Sequence, residues 1–316
     1  MRYKVILLIL GFVSFAASTF LSYYGIQPVH NLYYLFAWWS YIFFVDGLNG
    51  IISKNSIVTD RTGHFLLMLP FSAGFWFLFE LMNIRLGNWS YHSLPFDRTL
   101  RYWGYILSYA TVLPAIFETR ELILNSKVFS SIKIRGVNIR EESIKNIFWS
   151  GIFLFALILI FPGWFFALTW IVFLLIMEPI NYRIGAVSLI RELRAGRWEK
   201  PIATAAAGLV CGFLWEMWNY NSGAKWTYSV PFTSMFPKIF EMPLPGYLGF
   251  PFFALECYSF FNFISWSSGG EHWEGLPQKN SDINRTLIYT LIMILIPLYI
   301  ISMNAIDSHT VRYFTI

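Results

Sequence analysis

The sequence has little charge, little cysteine and no nucleotide-binding motif. Only 13% of its 316 residues are charged, about half the share found in soluble domains. The two cysteines, Cys211 and Cys257, lie within long apolar runs and make neither a disulfide framework nor a zinc site. There is no phosphate-binding or dinucleotide-binding glycine loop, and no spacing of histidines and carboxylates is typical of a metal site. We therefore expect no cofactor and no metal.

Apolar residues are abundant, at 56% of the chain, and the mean hydropathy is +0.52. They form runs of about 20 residues, enough to cross the hydrocarbon core of a bilayer. The first run could instead be a cleaved signal peptide, but it continues to Tyr24, which favours an uncleaved helix. The sequence predicts an all-α, polytopic transmembrane helical bundle with about nine spans, at residues 3–25, 31–52, 64–83, 103–124, 147–161, 164–180, 201–219, 247–266 and 284–304.

The positive charges predict an orientation. If the N-terminus is cytoplasmic, 17 of the 23 Lys and Arg residues fall in cytoplasmic segments, the last of them being Lys279 and Arg285. Such a bias follows the positive-inside rule. We therefore expect a multi-pass protein of the cell inner (cytoplasmic) membrane, with the N-terminus inside and the C-terminus outside. The net charge of +5 then needs no nucleic-acid partner.

A segment of the first half of the chain recurs in the second half. Its shared residues are Glu80, Asn83, Gly87, Trp89 and Tyr91 in one copy, and Glu216, Asn219, Gly223, Trp226 and Tyr228 in the other. Upstream of each copy lies a further acid-x-x-Asn pair, and these pairs are Asp46 with Asn49 and Glu178 with Asn181. Downstream, the region that ends at Glu118 loosely resembles the region that ends at Glu256.

These matches predict an internal duplication, a common rule in membrane proteins. The expected units are a first repeat at 1–124, a cytoplasmic linker at 125–146, a second repeat at 147–268, and a loop with a C-terminal helix at 269–316. Each repeat has four spans, an even number, so the two copies should run in the same direction through the bilayer.

Six carboxylates fall within or at the ends of the predicted spans, and they are Asp46, Glu80, Glu118, Glu178, Glu216 and Glu256. Each ionised carboxylate at a helix centre costs about 2.5–3.5 kcal/mol on insertion scales, so intramembrane acids usually face the interior and carry function. A plainer interpretation remains open. Each Asn could satisfy loose backbone groups where a span ends, and the Trp and Tyr residues could be ordinary interfacial anchors.

The segment from Phe79 to Tyr91 resembles the signature of the heterodimeric-type membrane lycopene cyclases, and Met242–Phe250 resembles the last element of that signature. The resemblance implies a repeated helical domain that acts on an isoprenoid. The chain departs from the family where the adjacent glutamates are expected, since Pro245 and Gly246 stand there.

The first functional hypothesis is an integral membrane enzyme of cyclase or isomerase type, which acts on an isoprenoid, carotenoid-like or other lipid without redox chemistry. Intramembrane carboxyls would supply acid and base. The expected catalytic residues are Glu80 and Glu216, with Glu118 and Glu256 as their partners. Asn83 and Asn219 would orient the glutamates. The expected substrate-binding residues are these two asparagines with Trp89, Tyr91, Trp226, Tyr228, Asp46, Asn49, Glu178 and Asn181.

The alternative is a transporter or channel for a small molecule, coupled to protons or another cation. The acids lie at several predicted depths, which suits a path across the bilayer. Both hypotheses place the partners in the membrane, and neither predicts an oligomeric state.

Overall fold

The computed structural model describes residues 2–277 and 285–315, which are about 70% helical. Lys279, which the predicted orientation uses, and residue 284, where the predicted ninth span begins, lie outside the described residues. The α-helices are α1 Arg2–Tyr23, α2 Tyr33–Ser53, α3 Thr62–Leu86, α4 Arg98–Tyr109, α5 Val112–Asn125, α6 Glu141–Ile160, α7 Pro162–Phe165, α8 Val172–Ile184, α9 Leu189–Arg194, α10 Glu199–Asn221, α11 Gly249–Ser268 and α12 Arg285–Ala305.

Short strands and irregular helices complete the fold. Two 3₁₀-helices lie at Phe166–Trp170 and Leu244–Leu248, and a π-helical turn lies at Ile306–Thr310. The strands are β1 Trp89–Pro95, β2 Lys225–Tyr228, β3 Lys238–Ile239, β4 Met242–Pro243 and β5 Val311–Thr315.

Within the described residues, six helices are long and apolar enough to cross a membrane, and they are Arg2–Tyr23, Tyr33–Ser53, Thr62–Leu86, Glu141–Ile160, Glu199–Asn221 and Thr286–Thr310. A seventh span would be Pro162–Trp170 with Val172–Ile184, which are bent by 45° at the break between them. The predicted class is confirmed in this coarser form, as a mostly helical protein with about six candidate spans.

Three predicted spans account for the difference between nine and six. The first, predicted at 164–180, is the bent pair of helices. The span predicted at 103–124 is broken at Ala110 and Thr111 into α4 and α5, and neither half is long enough to cross alone. The span predicted at 247–266 coincides with α11, whose apolar run is interrupted by polar residues such as Glu256 and Asn262. The count of nine is therefore not confirmed.

The core lies among α2, α3, α5, α10 and α11, and much of it is aromatic. Trp38 of α2 packs against Trp218 of α10 with ring centroids 4.7 Å apart, and Phe75 of α3 stacks on Phe260 of α11 at 4.4 Å. Aromatic pairs of this kind contribute about 0.5–1.5 kcal/mol beyond the area that they bury. By contrast, only 17% of the apolar window in α1, α6 and α12 is buried within the protein, so these helices lie at the periphery.

A small sheet lies at one end of the bundle and has the strand order β2-β1-β5. Strand β1 follows α3 directly, β2 follows α10, and the two pair antiparallel. In that register Trp89 lies opposite Tyr228, and Tyr91 lies opposite Trp226. The two predicted copies of Trp-x-Tyr are therefore neighbours. The C-terminal strand β5 pairs parallel with the other edge of β1.

Candidate acid–base site

The turn between α3 and β1 is built by Asn83. Its side-chain oxygen accepts hydrogen bonds from the backbone N–H groups of Asn88 (2.8 Å) and Trp89 (3.2 Å), and its amide donates to the carbonyl of Trp89 (2.8 Å). Gly87 ends the helix with φ +64°, a left-handed conformation that glycine adopts without strain. Asn83 thereby fixes where the first Trp-x-Tyr begins.

Asn219 does the same after α10. Its amide donates to the carbonyl of Trp226 at 2.9 Å, and its oxygen accepts the backbone N–H of Trp226 at 2.9 Å. The expectation that the two asparagines orient the glutamates needs correction. Both satisfy loose backbone groups where a helix ends, so the glutamates are oriented by the aromatic residues that these turns position.

Glu80 is fully buried and accepts hydrogen bonds from four side chains. The shortest comes from the Tyr91 hydroxyl, which lies 2.5 Å from Oε1. The other donors to Oε1 are the indole N–H of Trp76 (2.9 Å), the indole N–H of Trp89 (3.2 Å) and the hydroxyl of Tyr109 (3.3 Å). The donors come from α3, β1 and α4, so three elements converge on one carboxyl group.

Glu216 is equally buried but has fewer partners. The Tyr228 hydroxyl donates to Oε1 at 2.7 Å, and the Trp226 indole N–H in turn donates to that hydroxyl at 2.7 Å. Among the described residues no donor reaches Oε2 of Glu216. Each half of the chain thus presents a Tyr–Glu pair, Tyr91 with Glu80 and Tyr228 with Glu216.

The tyrosines of both pairs line one small cavity of about 30 Å³, which we call the aromatic cavity. Its described lining consists entirely of Trp and Tyr, namely Tyr34, Trp76, Trp89, Tyr91, Tyr109, Trp170, Trp215, Trp226 and Tyr228. The pairing of β1 with β2 makes this possible, because it brings the two Trp-x-Tyr motifs to opposite sides of one space. The glutamates lie behind their tyrosines.

Larger spaces adjoin the aromatic cavity. Trp89, Trp170 and Tyr228 also line a cavity of about 470 Å³, here called the apolar cavity, between the 3₁₀-helix Phe166–Trp170 and the start of α11. On the opposite side, Tyr91 and Tyr109 also line a cavity of about 70 Å³. The described lining of the apolar cavity includes Asn88, Thr233 and Tyr228 as polar groups but no charged side chain.

The other acid-x-x-Asn pairs form two similar centres near the opposite helix ends. The carboxylate of Asp46 accepts from the hydroxyl of Ser56, ten residues later, at 2.7 Å and from the backbone N–H of Val58 at 3.0 Å. Glu178 accepts in the same way from the hydroxyl of Ser188, again ten residues later, at 2.8 Å and from the N–H of Ile190 at 3.1 Å. Neither acid lines the aromatic or the apolar cavity as described.

The asparagines of these centres reach across to a neighbouring helix. Asn49 donates to the carbonyl of Glu118 in α5 at 2.9 Å, and Asn181 donates to the carbonyl of Ser259 in α11 at 2.7 Å. By this contact Ser259, rather than Glu256, occupies the place that Glu118 has in the first half. Among the described hydrogen bonds, none joins Glu118 or Glu256 to the two glutamates of the Tyr–Glu pairs.

Glu256 has a different setting. Its Oε1 accepts the backbone N–H of Phe173 at 2.9 Å, at the first turn of α8. The orphan N–H groups at a helix start need acceptors, and α8 starts here where it meets the preceding helix at an angle of 45°. Glu256 therefore caps the start of α8.

A buried ion-pair cluster was missed in the sequence. Arg120 of α5 and Lys200 of α10 lie 2.5 Å and 2.8 Å from Glu274, in the loop after α11. Burial alone would raise the pKa of Glu274, but the charges of Arg120 and Lys200 outweigh it and lower the pKa to about 2. Burial lowers the pKa of the adjacent His272 to about 3.

Trp76 and Tyr109 were also missed as site residues. Trp76 lies four residues before Glu80, a spacing that places two side chains on one helix face, so the sequence contained a signal for it. Tyr109 stands at the end of α4 and its contact with Glu80 depends on tertiary packing, which no local pattern reports. Within the described residues no group of three His, Cys, Asp or Glu side chains could hold a metal ion.

No family model matches the chain, and no curated protein or solved structure shows significant similarity to it.

Proposed function

We propose that the chain is an intramembrane acid–base enzyme that isomerises or cyclises an apolar lipid of isoprenoid type. The observation that carries the proposal is that Tyr–Glu pairs from the two halves face one cavity lined only, as described, by Trp and Tyr. A reaction that adds a proton at one carbon and removes one from another needs two such groups on the same substrate.

The two pairs suit different roles. Four donors surround Glu80, and hydrogen bonds to a carboxylate stabilise its charged form, so Glu80 with Tyr91 is the proposed base. Within the described part of the chain Glu216 has one donor, and its other oxygen has none, so Glu216 with Tyr228 is the proposed acid. The acid adds a proton to an alkene carbon and the base removes one from a carbon nearby. Net composition is unchanged, and water must return the proton from base to acid.

The linings support an uncharged, apolar substrate. Ring faces of Trp and Tyr stabilise a positive charge that lies over them, which suits the carbocation that protonation of an alkene creates. The apolar cavity of about 470 Å³ adjoins the reacting groups and could hold the rest of an extended chain. An isoprenoid has both the alkenes and the apolar chain that this arrangement requires.

The proposal includes the duplication. Equivalent hydrogen bonds at Asn83 and Asn219, and at Asp46 and Glu178, support two tandem repeats with the boundaries and orientation expected from the sequence. The resemblance to the membrane lycopene cyclases points to the same substrate class. Because Pro245 and Gly246 replace the paired glutamates of that family, the Tyr–Glu pairs carry the acid–base role here.

The test is the fate of lipids that co-purify with the protein in mild detergent. Mass spectrometry should find a prenyl or polyene lipid and its isomer in preparations of the native chain. Glu80→Gln and Glu216→Gln preserve size and should retain the substrate without its isomer. Trp103→Phe, in an exposed position of α4, is the matched control and should behave as native. Isomer formation that is unchanged in both Gln variants would refute the proposal.

A cation-coupled transporter is the second candidate, and the break at Ile171 favours it, since discontinuous helices mark substrate sites in transporters. Proteoliposome uptake separates the two functions. Proton- or sodium-driven uptake without any change in the bound lipid would establish the transporter and exclude the enzyme.

A further inference from the structure

The pair formed by Asp46 and Glu118 is unusual in its composition. Both carboxyl groups are fully buried, and Asp46 lies within hydrogen-bonding reach of Glu118. A carboxylate has no hydrogen to donate, so two carboxyl groups can share a hydrogen bond only if one of them is protonated. One shared proton would satisfy both groups.

The remaining contacts leave a place for that proton. Ser56 and Val58 donate to Asp46, and the Asn49 amide donates to Oε2 of Glu118 at 2.9 Å. Among the described residues no N–H or O–H group donates to Oε1 of Glu118. This oxygen is the one unmatched acceptor of the pair.

The second half of the chain shows how the same position can be built without a second acid. There the Ser259 hydroxyl donates to Glu178 at 2.6 Å, and Ser188 donates to its other oxygen at 2.8 Å. A hydroxyl thus suffices to complete the packing and the hydrogen bonds. Glu118 is a costlier choice at a buried position, because a second carboxyl must be neutralised. Packing and hydrogen bonding alone therefore do not explain why a glutamate stands at position 118.

Asn49 and Asn125 connect the pair to a polar cavity. Asn125 donates to Asn49 at 3.1 Å and also lines a cavity of about 280 Å³, here called the linker-side cavity. Its described lining consists of Ser53, Asn55, Arg120, Glu121, Leu124, Asn125, Lys200, Glu274 and Leu276. Because four of these side chains are charged, the cavity is suited to hold water.

We propose that Asp46 and Glu118 form a proton-binding site that exchanges its proton with water in the linker-side cavity. Among the described residues, the charge of Glu121 in α5 also acts on Glu118, and Glu118 in turn acts on Tyr41 of α2. The inference does not rest on the proposed catalysis, because neither acid is among the described residues that line the aromatic cavity.

Infrared difference spectroscopy of the full chain in detergent tests the site. A protonated carboxyl has a carbonyl band that a carboxylate lacks, and the band shifts in D₂O when the proton exchanges. Glu118→Ser copies the second half and should lose this band. Asp46→Asn should shift the frequency of the band, because the group beside Glu118 changes. Ser259→Ala is the control and should keep it. The reciprocal Ser259→Glu should add a second band.

Asn125→Leu tests the route, since it should slow the D₂O shift of the band without removing it. The proposal is overturned if Glu118→Ser retains the native band, or if Asp46→Asn leaves the frequency of the band unchanged. It is also overturned if sodium at constant pH abolishes the band, since a metal cation would then occupy the site. An exchange rate that Asn125→Leu leaves unchanged would refute the route through the linker-side cavity.

Discussion

The two halves of the chain hold their acids differently. Glu80 accepts hydrogen bonds from four side chains of three elements, whereas among the described residues one side chain, Tyr228, donates to Glu216. The turns that position them are the same, since Asn83 and Asn219 make matching contacts with the following strand. The shared motif thus determines the position of each acid, and the surrounding residues determine how many hydrogen bonds stabilise its carboxylate.

The largest expected effect follows from this difference. Glu80→Leu removes the acceptor of Trp76, Trp89 and the hydroxyls of Tyr91 and Tyr109. The two hydroxyls lie 3.0 Å apart, so one can still donate to the other and three donors are left without an acceptor. Each buried donor so stranded costs about 1–3 kcal/mol. Among the described residues, Glu216→Leu strands one donor, the Tyr228 hydroxyl. We expect a clearly larger loss of thermal stability for the Glu80 variant, measured as the unfolding midpoint in detergent. Equal losses would show that the four contacts of Glu80 are energetically equivalent to one.

The buried ion pair between Arg120 and Glu274 should contribute nearly as much to stability. Arg120→Leu leaves Glu274 buried without its closest counter-charge, and removal of one partner from a buried ion pair costs about 3–5 kcal/mol. Lys200→Met is the control, because Lys200 is 31% exposed and water can replace its charge. A Lys200 variant as unstable as the Arg120 variant would contradict this ranking.

Acid should weaken the same cluster. His272 has a pKa of about 3 in the fold against an ordinary value of 6.5, and Glu274 about 2 against 4.5. In both cases the unfolded chain binds the proton more readily, so stability falls as pH falls. The His272 contribution should be lost from about pH 6.5 down to 3, and that of Glu274 from about pH 4.5 down to 2. Unfolding midpoints of the native chain across this range, compared with His272→Gln, measure the first loss.

The smallest expected effects on stability come from substitutions of the two motif glycines, Gly87 and Gly223, and they should differ between the two positions. Gly87 has φ +64° with no atom near its missing Cβ, whereas a Cβ on Gly223 would overlap the side chains of Asn31 and His30. Asn tolerates left-handed backbone, so Gly87→Asn should change the unfolding midpoint little. Gly223→Asn should cost about 1–3 kcal/mol, as overpacking does. A larger loss of stability for Gly87→Asn than for Gly223→Asn would contradict the described packing around the two glycines.

The recurrence of Glu80 and Glu216 with their asparagines, and the long apolar runs, were visible in the sequence because they depend on local spacing. That is why helices cover most of each predicted span within the described residues. The number of spans was not predictable in the same way. Polar residues in α11 and the break between α4 and α5 are stabilised by tertiary contacts, such as the bond from Ser72 to the carbonyl of Tyr109 (2.7 Å).

The site was only partly predictable for the same reason. Tyr91 and Tyr228 were identified from the repeat, and the structure places both beside their glutamates. The pairing of β1 with β2, which puts them around one cavity, joins residues more than a hundred positions apart. Glu274 lies in a loop that matches no segment of the first half of the chain. Its ion pair with Arg120 therefore could not be predicted from a sequence pattern.

Deuterium incorporation is the most direct test of the claim that the two Tyr–Glu pairs act on one apolar substrate. The native chain would be incubated with its co-purified lipid in D₂O, and the lipid analysed by mass spectrometry. We expect deuterium in the isomerised lipid. Tyr228→Phe should reduce incorporation by about 10²–10⁴-fold, the usual contribution of a positioned acid, and Tyr91→Phe should reduce isomer formation by a similar factor. A lipid that gains no deuterium from the native chain would contradict the account.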